Sequence, residues 1–76
     1  MLTAEEFERL SIQDQADMVL GYGTELLERI FLDNIVKLYM LNGFYIEIWY
    51  QQIANSIKKV IVVELVNVLH LFENWI

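Results

Sequence analysis

Few residues of this 76-residue chain are of types that do chemistry, and spacing decides what each is for. His70 is the only histidine. On a closing helix it falls off the stripe Leu65, Val68, Leu69, Phe72 and Ile76 and sits one turn from Glu73, which makes it a surface histidine beside a helical acid. Without partners that converge on it, no Ser/His/Asp triad is assembled. Gly21-Tyr22-Gly23 is a fragment of a glycine-rich loop. A phosphate cradle needs a strand before it and a helix N-terminus after it, whereas this pair follows a helix. The expected role is helix termination, with one glycine in the left-handed C-cap conformation. Glu47, between Ile46 and Ile48, is a carboxylate in an apolar run, a setting that suits a general base. Cross-strand pairing with Lys37 accounts for it structurally. The acids show no regular metal-ligand spacing, and the absence of cysteine excludes disulfides and a thiolate zinc site. No catalytic residue, cofactor site or metal ligand is assigned, and the chain reads as a non-enzyme.

The element that positions the remaining candidates is Ile35–Gln51, IVKLYMLNGFYIEIWYQ, two apolar and aromatic runs around Asn42-Gly43. A two-residue loop would oppose Lys37 to Ile48 and Leu38 to Glu47, facing both charges with apolar partners. A three-residue loop, Leu41-Asn42-Gly43, closed by Gly43 as a G1 bulge, pairs Lys37 with Glu47 and Tyr39 with Tyr45. On that register Val36, Leu38, Met40, Phe44, Ile46 and Ile48 form one face, to be covered by helices. Ile35, Tyr39, Tyr45 and Trp49 form the other, a candidate interaction face, since Tyr and Trp are enriched at interface cores. Stacking platforms for single-stranded nucleic acid share such aromatics but need a positive groove, and here Lys37 is balanced by Glu47.

Around this hairpin, Thr3-Ala4-Glu5-Glu6 and Ser11-Ile12-Gln13-Asp14 carry the hydroxyl-to-acid spacing of a capping box and predict two short helices, about 4–10 and 12–21. Residues 24–32 read as a first strand, 35–41 and 44–51 as the hairpin, and 57–64 as a fourth strand. The fourth strand's run Val60–Val63 is an aggregation hazard bracketed by Lys58, Lys59 and Glu64. A helix over 66–74 closes the chain. The expected fold is α+β in one small domain: two short N-terminal helices, a four-stranded antiparallel meander and a short C-terminal helix. GTELLER, KLYMLNGFYIEIWY and the Leu10-Ser11 helix junction resemble a group of short uncharacterised bacterial proteins across residues 5–63. That resemblance implies the helical pair and the meander, and no activity.

Hydrophobic residues make up 57% of the chain, a surplus that a domain this small leaves partly exposed unless another chain covers it. The most apolar window, Val60–Ile76, is broken by Glu64, Asn67, His70, Glu73 and Asn74, so no membrane span is expected. Acids where a signal peptide would carry Lys or Arg point to a cytoplasmic protein. Charge is lopsided. Residues 1–33 hold Glu5, Glu6, Glu8, Asp14, Asp17, Glu25, Glu28 and Asp33 against Arg9 and Arg29, while the remainder is balanced. Such a face opposes nucleic acid and anionic membranes. The leading expectation is an interaction module that pairs with itself through the aromatic sheet face or an edge strand. The alternative is a small inhibitor or immunity-type protein whose acidic face, Glu5, Glu6, Glu8, Asp14 and Asp17, engages a basic partner.

Overall fold

The computed structural model describes residues 1–75, with side chains through Phe72. It is α+β: α1 (Ala4–Glu8), α2 (Ile12–Tyr22), β1 (Thr24–Phe31), β2 (Asn34–Leu41), β3 (Phe44–Gln51), β4 (Ser56–Val63), α3 (Leu65–Val68) and a 3₁₀ segment, Leu69–Trp75. The strands form one antiparallel sheet in the order β1-β2-β3-β4. The first helix is short and the second has eleven residues. The closing helix expected over 66–74 is instead one α-helical turn and a 3₁₀ stretch kinked at Phe72, whose ψ is 50°. Ile76, the end of the expected stripe, lies outside the described residues.

Local signals set the N-terminal pair. Thr3 completes a capping box: its backbone N–H donates to Glu6 Oε1 at 2.8 Å and Glu6 N–H donates to Thr3 Oγ1 at 3.1 Å. The Thr3 backbone N–H, and then its hydroxyl, hold the Glu6 carboxyl below the usual carboxylate range. At Ser11 only half of the box forms, with Asp14 N–H donating to Ser11 Oγ at 3.1 Å. Gln15 ties the helices together by donating from Nε2 to Phe7 O at 3.0 Å in a buried contact. Neither Gly21 nor Gly23 takes the expected left-handed conformation. Gly23 ends α2 in extended backbone, and a Cβ there would meet Val19 O at 2.7 Å and Met40 O at 3.3 Å. The glycine is needed for close approach of the helix end to β2, not for its φ.

The central hairpin corrects the expected register. Leu41 pairs with Phe44 across a two-residue Asn42-Gly43 loop, and Lys37 faces Ile48 while Leu38 faces Glu47. Asn42 has φ 50° and Gly43 φ 84°, the two positive angles of a type I′ turn, whose twist matches that of the strands it joins. Within the hairpin alone a G1 bulge would pair Lys37 with Glu47, but β1 supplies both counter-charges, Glu25 and Arg29. Gly43→Val puts a β-branched residue at positive φ and should cost at least about 1 kcal/mol in thermal unfolding, with Gly43→Asn losing clearly less. Equal losses from the two would contradict the I′ turn.

With this register the sheet buries both faces. On one, Tyr39, Leu41, Ile46 and Ile48 pack with Phe7 and Val19 of the N-terminal helices. On the other, Val36 and Leu38 pack with Phe72, flanked by Leu27, Tyr45, Trp49, Val63, Leu65 and Val68. The single helix-covered face expected from Val36 to Ile48 is therefore split between two layers.

Candidate interaction surfaces

Register places the four aromatic-face candidates on opposite sides of the sheet. Ile35 and Tyr39 lie on the side of the N-terminal helices, Tyr45 and Trp49 on the side of the closing segment. Tyr39 is buried, and that burial, with the Tyr50 hydroxyl beside it, pushes its phenol far above the ordinary tyrosine range. Tyr45 and Trp49 are half-buried under the closing segment. The four do not make one exposed face.

Glu47 does not pair with Lys37. It is buried, and its Oε2 lies 3.5 Å from an Arg29 amino nitrogen, while its Oε1 accepts from Trp49 Nε1 at 3.3 Å. Arg29 stands opposite Val36, so its guanidinium reaches across β2 to β3. There it lies 5.9, 5.3 and 5.2 Å from the ring centres of Phe31, Trp49 and Phe72. Lys59 caps the same indole at 4.2 Å. A guanidinium enclosed by aromatic faces gains from their quadrupoles while the carboxylate compensates its charge. This cluster joins β1, β3 and the closing segment. With its carboxylate occupied by Arg29 and the indole N–H, it is a structural clasp rather than a free base. Lys37 instead meets Glu25 at 3.5 Å.

Sequence reasoning missed Arg29, although a signal was there. Leu27, Arg29 and Phe31 alternate onto one face of β1, as Tyr45, Glu47 and Trp49 do on β3. Opposite charges set in two apolar faces of one sheet are candidates for each other.

An edge strand is the other expected self-association surface, and β1 supplies a free edge. Leu26, Ile30, Phe31 and Leu32 are 42%, 72%, 48% and 80% exposed along it. Phe31 and Asn34 close a two-residue loop and so form a hydrogen-bonded pair. Alternation then turns the backbone N–H and C=O of Ile30 and Glu28 outward. Leu32 holds φ 55° in that loop, a conformation costing a non-glycine residue roughly 1–2 kcal/mol. The other sheet edge, β4, carries exposed Lys58 and Lys59 and a register break beside them, devices that discourage pairing.

On the helical side Glu5, Glu6, Glu8, Asp14 and Asp17 are all exposed. Asp14 and Asp17 border a shallow groove of about 330 Å³ whose other walls are Leu10, Met18 and Tyr22. A second open groove, of about 380 Å³, lies on the same sheet face between Ile35, Lys37, Tyr50, Gln51, Gln52 and Asn55. His70 is exposed on the closing segment, and the side chain of its expected neighbour Glu73 lies outside the described residues. Among the described residues no cluster of three or more His, Asp or Glu stands ready for a metal, and no helix is long and apolar enough to cross a membrane. The chain matches no protein-family model, no curated protein and no solved structure.

Proposed function

We propose that this protein is a non-enzymatic interaction module that associates with a second copy of itself through the free edge of β1. The observation that carries this reading is the coincidence of outward backbone groups with exposed Ile30, Phe31 and Leu32 on that one edge. An unpaired apolar strand edge is a template for another strand, and native chains normally blunt such edges. A two-fold antiparallel pairing centred on Ile30 keeps the outward groups in register. It sets each Phe31 opposite the partner's Arg29 and each Glu28 opposite the partner's Leu32, so no like charges face each other. The one buried carboxylate of the sheet, Glu47, is already engaged by Arg29 and Trp49, which favours a binding role over a catalytic one.

Sedimentation of the wild type and of Ile30→Lys tests this reading. The wild type should sediment as a dimer and the variant as a monomer with an unchanged circular dichroism spectrum, because Ile30 is mostly exposed within one chain. A wild type that stays monomeric at high concentration removes the proposal.

A further inference from the structure

We infer that the groove lined by Leu10 and one flank of α2 docks a cationic amphipathic segment of another protein, one that presents a Lys or Arg beside an apolar side chain at helical spacing. Three observations converge on it. Asp14, Met18 and Tyr22 stand at i, i+4 and i+8 on α2, a stripe along one flank of the helix about 12 Å long. Leu10, from the connection after α1, lines the same groove, so apolar Leu10, Met18 and Tyr22 share it with two carboxylates. Tyr22, 78% exposed, offers an aromatic face on which a cation can stack.

Charge selects the occupant. The segment 1–23 carries Glu5, Glu6, Glu8, Asp14 and Asp17 against Arg9 alone. Among the described residues none of these five carboxylates enters an ion pair; the two ion pairs found, Arg29–Glu47 and Lys37–Glu25, are both on the sheet. Asp17 accepts a hydrogen bond only from the neutral amide of Gln13, at 2.9 Å. A negative field over an apolar slot steers a positive, partly apolar segment and repels a second copy of this acidic chain. The groove lies on the helical layer, and its Tyr22 precedes the start of β1 whereas Ile30 stands near the strand's far end, so occupation here does not depend on self-association.

The test uses the full chain and a short labelled peptide of alternating Leu and Lys turns that forms an amphipathic helix, followed by fluorescence anisotropy. One peptide per chain should bind, with affinity falling as salt is added. Asp14→Asn with Asp17→Asn should weaken binding roughly fivefold to tenfold, the range for two solvent-exposed ion pairs. Glu5→Gln with Glu8→Gln removes the same charge away from the groove and should cost less than about twofold. Tyr22→Ala should weaken binding while Ile30→Lys leaves it unchanged, which separates this inference from the edge-strand reading. The inference is overturned by absence of binding, by equal losses from the Asp and Glu pairs, or by equally tight binding of a Lys/Ser peptide with no apolar face.

Discussion

Glu47→Ala should destabilise the protein by about 3 kcal/mol, the lower end of the cost of breaking a buried ion pair. The lower end applies because the Arg29–Glu47 separation, 3.5 Å, is long for a charged hydrogen bond. Two groups lose their partner at once. The Arg29 guanidinium, only 14% exposed, remains among Phe31, Trp49 and Phe72 with no carboxylate. Its Nε is already buried without an acceptor, so nothing nearby takes up the slack. The Trp49 indole N–H is orphaned as well. Replacing both charges, as Arg29→Met with Glu47→Leu, should restore most of the loss, since apolar side chains of similar volume often match a buried pair. Urea unfolding of Arg29→Met, Glu47→Leu and the double variant closes a thermodynamic cycle. A coupling energy near zero would show that Arg29 and Glu47 do not act together.

Phe72→Ala should cost roughly 3–5 kcal/mol, the range for emptying a buried phenylalanine site. Phe72 is 2% exposed and, among the described residues, is the fully buried side chain that the closing segment brings to Val36 and Leu38. It also closes the cage over Arg29 at 5.2 Å. For a chain of this length each kcal/mol moves the melting temperature by about 4–8 °C, so a fall of at least about 12 °C is expected. Leu71→Ala, at a neighbouring but 43% exposed position, should shift it far less. If the two variants melt together, the closing segment does not cover that face of the sheet.

These two variants address the part of the fold that a linear reading placed wrongly. The hydrophobic runs 35–41 and 44–51 pointed to a hairpin, and a hairpin is present. Its loop length does not follow from Lys37 and Glu47, because their partners are Glu25 and Arg29, which β1 carries to them. A single added residue in a loop turns one strand over. That slip assembled Ile35, Tyr39, Tyr45 and Trp49 into a face they do not share. The usual safeguard against such a slip is one polar and one apolar face, and it is absent where both faces are covered. The acidic candidates fared differently. Their exposure follows from two capped amphipathic helices whose acids fall off the apolar stripe, which is a local property.

Amino-acid order settles what neighbours within a few residues can settle. Thr3 and Glu6 cap α1 across three residues, Ser11 starts α2, and Asn42-Gly43 turns the chain between two apolar runs. Those choices depend on backbone sterics and hydrogen bonds that the segment carries with it. Packing across the whole chain sets which face each strand residue meets, brings Phe72 over Val36 and Leu38, and carries Arg29 across β2 to Glu47. It also decides that the edge left unpaired is β1, with Ile30 in the open. The reason is physical: burial and charge pairing are sums over residues distant in the chain, and either register satisfies the hairpin until β1 and the closing segment pack against it.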